Sequence, residues 1–488
     1  MRRAVAIAAA LVAGLALGAP IADAAPRPRW DTRLLALIPT PGFPALGYVH
    51  PNDRIYEGTY VNPQGDSERS RVLEYTGDGT LQRSWTVPGQ DLSAEHGVQV
   101  TTSDARGRLV LLDRTPARAL LLDTITGSFT RYATFADLAP CPPLTTGPNC
   151  SPTLLNLPPV PNYGAWGPDG SLYVTDFQQG VVWRVPPGGG TARIWLSDRR
   201  LDGAQFGTTG IALAGDRRRL LVAQGSSGGL GGLNPTTGKL YSVAIGAGGA
   251  PGPLQELWES RPADLPDGFA IARSGRIYVP LAGVANQIAV LAADGRELER
   301  FPQQPGGGDN GSEVPFDTPS SVRFLGTRLI VANQSFGGDA AHQALLDVEV
   351  GEPGLIEFIP GLDRTAPVLS HVSLFPTRLR LRRARRRIRP PAFTGRHLPR
   401  PVLVRFRLSE PATVTLRLER LVRGRWAHVR TLTSRRRAGR SVLRLSTHFR
   451  RAGKRRALKL GRYRVRLRAR DAVGNRSRRV TRGFKVVR

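Results

Sequence analysis

Six residues recur at one position of a repeated phrase, and their types could do chemistry. They are Pro44, His96, Asn162, Thr209, Asp267 and Ser320, about 45 to 65 residues apart. If the chain brings them together, an aspartate, an asparagine, a histidine and two hydroxyls meet. Such an oxygen-rich set suits a hard cation, Ca²⁺ or Mg²⁺, with water completing the shell. His96, joining Asp267 as a metal ligand, extends the choice to Zn²⁺ or Mn²⁺. Asp267 and His96 equally form an acid/base pair toward a sugar or lactone hydroxyl. A plainer reading stands beside these. Asp267 before a glycine and Asn162 after Pro161 are residues that cap their own turns, and Thr209 and Ser320 are residues that satisfy backbone groups.

The elements that must position these residues are legible in the same phrase. Asp267-Gly-Phe-Ala-Ile-Ala-Arg-Ser-Gly-Arg-Ile-Tyr-Val279 and Asn162-Tyr-Gly-Ala-Trp-Gly-Pro-Asp-Gly-Ser-Leu-Tyr-Val174 match in length and pattern. Each is a polar residue, a short apolar stretch, a glycine turn and an apolar strand. First strands carry Leu46/Tyr48, Val98/Val100, Gly164/Trp166, Ile211/Leu213, Phe269/Ile271 and Val322/Phe324. Second strands include Leu109-Val-Leu-Leu112, Leu172-Tyr-Val-Thr175 and Leu329-Ile-Val-Ala332. Asp78-Gly79, Thr126-Gly127, Thr237-Gly238 and Asp294-Gly295 supply hairpin turns. Six short antiparallel sheets that cannot bury their own faces predict a six-bladed β-propeller over 30–363, with the polar residue of each repeat at the channel mouth. Asn333 and His342, on a long loop of the last repeat, have the reach to meet at the same mouth; the plainer reading, favoured here, is turn support and an exposed side chain.

Pro266-Asp267-Gly268 with Gly275-Arg-Ile-Tyr-Val279, and Asn162 with Pro168-Asp-Gly-Ser-Leu-Tyr-Val-Thr-Asp176, resemble the senescence-marker-protein, gluconolactonase and luciferin-regenerating-enzyme-like family over roughly residues 40–360. The resemblance implies a six-bladed propeller that hydrolyses sugar lactones with one divalent cation at the mouth. It implies Asp267 as metal ligand and general base, and Asn162 as a substrate contact. The family's other two metal ligands, a first-blade Glu and a fourth-blade Asn, fall on Pro44 and Thr209 here. Glu57 lies on the next strand.

The chain of 488 residues carries 69 Lys+Arg against 38 Asp+Glu, a net charge of +31. Residues 364–488 hold 40 of the basic and 3 of the acidic residues, so the whole excess lies in the last quarter. There, Val402-Leu-Val-Arg-Phe-Arg-Leu-Ser409 and Tyr463-Arg-Val-Arg-Leu-Arg-Ala-Arg470 alternate apolar residues with arginine, as half-exposed strands do. Gly461 to Asn475 resembles the penultimate-strand phrase of bacterial immunoglobulin-like and fibronectin-type-III-like modules. The expected order is therefore all-β: the propeller, then a linker with a first strand over 364–400, and a small Arg-rich β-sandwich over 401–488. Residues 378–396 read as a charged linker.

Arg2 and Arg3, an apolar run to about Ala19 and Ala22-Asp23-Ala24 read as a signal peptide over 1–24. The expectation is a secreted or envelope-associated protein with no transmembrane helix in the mature chain. The only two cysteines, Cys141 and Cys150, are expected to pair. The arginines would attract an anionic envelope polymer through a salt-sensitive field, and without a recognition helix sequence-specific nucleic-acid binding is excluded. Nucleophile-elbow, P-loop and His-Glu-x-x-His motifs are missing from the sequence, so those chemistries lack support. Two functions remain open: a propeller binding a small polar ligand, sugar or lactone-like, at the mouth, and a metal-dependent sugar-lactone hydrolase.

Overall fold

The computed structural model describes residues 27–39, 42–62, 65–143, 145–203, 206–227, 236–380, 401–451 and 454–488. The signal-peptide reading and most of the 378–396 linker reading lie outside the described residues. Apart from three single-turn 3-10 helices, every regular element described is a β-strand. No helix among the described residues is long and apolar enough to cross a membrane.

In the first three quarters of the chain, the described residues hold six sheets, each with an antiparallel run of consecutive strands at its centre; the second also carries Gly190–Thr191 as a short parallel outer strand. The first is Tyr48–Val49, Ile55–Gly58, Arg71–Tyr75 and Leu81–Thr86. The inner strands of the next four are Val98–Ser103, Pro161–Trp166, Thr208–Leu213 and Ala270–Ile271. The sixth consists of Pro319–Leu325, Arg328–Asn333 and Ala344–Glu349, and its outer strand is Thr32–Leu37 from the N-terminal end. The two ends of this region thus close the ring by pairing Thr32 with Val348 and Leu37 with Ala344. Nothing in the repeat announced that closure, because Thr32–Leu37 lies before the first full phrase.

Neighbouring inner strands are tied to one another around the ring. Val98 N donates to Thr59 O at 2.9 Å, and Gly268 N to Ser320 O at 2.8 Å. The Thr175 hydroxyl donates to Thr209 O at 2.6 Å, and the Thr209 hydroxyl to Pro266 O at 2.9 Å. A Cβ on Gly47 would stand 3.0 Å from Leu345 and 3.1 Å from Ile330, so the sixth sheet packs directly on the first. This is a β-propeller. Its strands are short and alternating, and burying both faces of each sheet requires a neighbour on each side. Tyr48, Tyr56, Tyr163, Tyr173, Tyr241 and Tyr278 are among its largest fully buried side chains. Cys141 and Cys150 form a disulfide in the loop between the second and third blades.

Residues 351–363 leave the sixth blade and pass beneath the wheel. Arg273 N donates to Pro353 O, Leu355 N to Ile271 O, and Asp363 N to Ala105 O. Beyond them, two sheets share one core. Leu369–Phe375, Val402–Leu408 and Gly439–Leu445 make one. The other runs Arg378–Arg380, Val480–Val487, Gly461–Arg470, Ala412–Val422 and Arg425–Arg436. That core, from Leu369 to Val486, contains no propeller residue. The two parts touch where Asn52 Nδ2 donates to Ala472 O and Arg470 Nη2 to Asn52 O, both at 2.9 Å.

Candidate functional site

The propeller brings the registered residues to one end of the wheel, at the start of each inner strand, but only some of them face a ligand. The others hold the wheel together. Thr209 gives its hydroxyl to Pro266 O, and Ser320 gives its own to Ala45 O at 3.0 Å. Both are buried. Pro44 offers no side-chain donor or acceptor and bridges Thr59. Of the two roles expected of His96, metal ligand and ligand contact, neither fits its surroundings. It is fully buried, Nδ1 faces Ala94 O at 3.1 Å and Nε2 faces Glu68 O at 2.9 Å. Both ring nitrogens face backbone carbonyl oxygens, so neither is turned toward an ion at the mouth.

Asn162 and Asp267 are different. The Asn162 amide oxygen accepts from the Tyr60 hydroxyl at 3.2 Å, and its nitrogen donates to Thr208 O at 3.4 Å. Burial pushes the Tyr60 phenol up to about 12, with Arg114 opposing and the nearby Asp267 charge adding to the rise. Asp267 is half-buried at the surface yet ringed by protein atoms. Burial pushes its carboxyl up to about 7, against the opposing pull of the Tyr163 hydroxyl, the Gly268 N–H and Arg323. Its Oδ1 is enclosed and has no hydrogen-bond partner. An unpartnered buried carboxylate oxygen is costly unless a proton or a ligand donor meets it.

Tyr163 is the residue that the spacing argument missed. It is 1% exposed and reaches across the axis from the third blade. Its hydroxyl lies 3.0 Å from Ser320 O on the sixth blade and 3.4 Å from Ala45 O on the first. A Cβ on Gly268 would stand 2.4 Å from its ring, so only glycine lets the ring in from the fifth blade. A signal was present in the sequence. The residue after each registered position is Ala45, Gly97, Tyr163, Gly210, Gly268 or Ser321. Five small residues surround one large one, and the large one fills the axis. A phenol has one proton to give, and two carbonyls and a carboxyl surround it. The recorded acceptors of that proton are Ser320 O and Ala45 O, and Asp267 Oδ1 is left without a donor.

Below the Tyr163 floor stand Arg323, Tyr48 and Glu357, also unforeseen. Arg323 Nη1 donates to Phe269 O at 2.8 Å. Glu357, on the passing segment, accepts from the Tyr48 hydroxyl at 3.0 Å and the Thr102 hydroxyl at 2.6 Å. The recess pushes the Glu357 carboxyl up, although its outer surface stays open to solvent.

The implied cation does not fit the mouth. Glu57 is buried, and its Oε1 accepts from the backbone N–H groups of Ala45, Leu46 and Gly58 at 3.1 to 3.3 Å. With His96 engaged, Pro44 and Thr209 in the positions that the resemblance gives to metal ligands, and Glu57 turned inward, no second acidic or imidazole ligand accompanies Asp267 among the described residues. Among the described residues, the group of acidic side chains close enough to share an ion is elsewhere. Asp363, Glu410 and Asp471 bring oxygens within 4.8 Å of one another where the propeller meets the tail. Asp471 already accepts from Gly474 N and Asn475 N, at 2.7 and 2.8 Å. Asn333 supports its own loop, its Nδ2 donating to His342 O, whereas His342 is half-buried rather than exposed, its Nδ1 meeting Asp317 at 2.9 Å.

No protein-family model matches the chain, and no curated protein matches it. Solved structures resemble it at low identity. A candidate gluconolactonase is 17% identical, covering 67% of this chain and 94% of its own, with a TM-score of 0.43. Regucalcin, a calcium-binding protein of Agrobacterium tumefaciens, is 15% identical over 66% of this chain and 95% of its own, with a TM-score of 0.45. Luciferin-regenerating enzyme is 15% identical over 65% and 94%, with a TM-score of 0.40. Likenesses this distant carry no argument about activity; the propeller rests on the strand order above.

Proposed function

We propose that this chain captures a small, hydroxyl-rich ligand, sugar or lactone-like, at the channel mouth, and that its basic domain holds it at an anionic cell-envelope surface after export. The observation that carries the first half is the unpartnered, enclosed Asp267 Oδ1 beside Tyr60, Asn162 and Tyr163. A ligand hydroxyl would supply the donor that the protein withholds. Loops at this end also carry aromatic pairs, Phe43–Phe336 and Phe177–Phe206, suited to the apolar faces of a ring. The recognition is metal-free, because the ligand set for a cation at the mouth is incomplete.

Calorimetric titration with sugar lactones and the matching sugar acids tests this reading. A saturable heat that Asp267→Ala weakens at least about tenfold, the scale of a lost buried hydrogen bond to a charged group, supports it. Undiminished binding by that variant overturns it. A second reading rests on one observation, the Asp267 carboxyl at about 7. A group poised there can act as general base on water attacking a lactone carbonyl. Turnover that survives a chelator and vanishes in Asp267→Asn distinguishes catalysis from capture. For the tail, removal of 367–488 should abolish retention on envelope preparations at low salt, and equal retention ends the tether idea.

A further inference from the structure

Strand Gly461–Arg470 turns Tyr463, Val465, Leu467 and Ala469 into the sandwich core. The alternate residues therefore share the outer face of the five-stranded sheet. Arg462, Arg464, Arg466 and Arg468 stand there in line, about 6.6 Å apart by strand geometry. Across the neighbouring strands, Arg417 lies directly opposite Arg466, and Lys485 opposite Arg462. Like charges placed opposite one another cost a sheet stability. Glu419 relieves part of the strain, meeting Arg464 at 2.5 Å, Arg417 at 3.0 Å and Arg466 at 3.4 Å. Arg462, Arg468 and Lys485 have no ion-pair partner among the described residues and are exposed.

We infer that this outer face is a docking track for a linear, base-free phosphodiester polymer, a polyol phosphate, laid along Arg462 to Arg468; Arg470, at the end of the same row, is held by Asn52 O of the propeller. The inference rests on the tethering reading and says where and to what the tether attaches. A polyol phosphate on a three-carbon spacer repeats every six backbone bonds, and when extended its charges recur at nearly the pitch of the arginines. Guanidinium forks match phosphate oxygens in pairs, which an ammonium cannot do. Phosphates across the column would neutralise the facing Arg466–Arg417 and Arg462–Lys485 pairs. Nucleic acid shares the six-bond repeat but needs stacking platforms for its bases. The aromatic recorded on this face, Trp426, is already covered by the Arg464 guanidinium at 4.3 Å.

The test uses the full chain and synthetic poly(glycerol phosphate) at several salt concentrations. Arg462→Gln with Arg468→Gln removes two exposed charges from the track. Arg407→Gln with Arg444→Gln removes two exposed charges from the other sheet and serves as the control. The track pair should lose about tenfold in affinity and flatten the salt dependence by roughly one to two ions, while the control changes less than about twofold. Equal losses in both pairs overturn the track and leave a diffuse basic tether standing. Single-stranded DNA bound as tightly as poly(glycerol phosphate) overturns the base-free assignment. Polyglutamate bound as tightly overturns the phosphodiester assignment. Loss of envelope retention only on deletion of the whole tail, with both pairs retained, separates failure of the track from failure of the tether.

Discussion

Glu57 shows what burial does to a single carboxyl in this wheel. One oxygen takes three backbone N–H groups, and the other is enclosed without a partner, near Gly47 where Leu345 and Ile330 press in. Burial pushes the group up to about 8 from 4.5, even against those N–H groups. The folded chain therefore holds a proton that the unfolded chain has released between those pH values. Stability from this group is full below about pH 4.5 and is lost as pH rises toward 8. Glu57→Gln should flatten that slope and stabilise the protein at pH 8, by on the order of a few kcal/mol at most; urea melts at pH 5 and pH 8 would read it. An unchanged slope in the variant contradicts the assignment. His50 works with the opposite sign. Burial lowers it to about 4 from 6.5, so its contribution disappears as pH falls through that window.

At the scale of elements, the inner strands explain one another. Gly268 begins the fifth-blade entry and Tyr163 the third, and each is the reason for the other. Gly268→Ala should cost about 1–3 kcal/mol, the usual penalty of forcing atoms into a filled site. The same substitution should cost clearly less in a Tyr163→Ala background, since the clash partner is gone; additive losses in denaturant melts would reject the pairing. The outer strand Thr32–Leu37 makes a different prediction. Without it, Ala344–Glu349 becomes a bare edge whose side chains are all buried in the intact wheel. Deleting residues 27–37 should lower the melting temperature and produce assemblies visible by light scattering, because unpaired edges recruit other chains. A monomer of unchanged stability would show that the ring closes without it.

At the scale of the whole molecule, charge and chemistry are separated. The propeller holds the enclosed carboxyl, and the tail holds the basic excess. Their cores are disjoint, and polar contacts at Asn52, Asp363 and Asn475 join them. Ligand capture at the mouth should therefore survive a rise in salt that releases the tail from an anionic surface. Titrating the mouth at low and high salt checks this; equal loss of both would mean that the tail's field shapes the mouth.

The alternation of apolar residues, the glycine turns and the recurring phrase fixed the all-β propeller, because a half-buried strand must carry its period in its own residues. The same phrase marked Asn162 and Asp267, since each sits at a repeat position. The sequence could not say which registered side chains turn toward a ligand. Thr209, Ser320 and His96 are of the right type, but carbonyls from neighbouring blades claim them, and those neighbours exist only once the ring is closed. Tyr163, Arg323 and Glu357 meet on an axis to which residues far apart in the chain contribute, and burial on that axis, a property of the assembled wheel, sets the Asp267 carboxyl near 7.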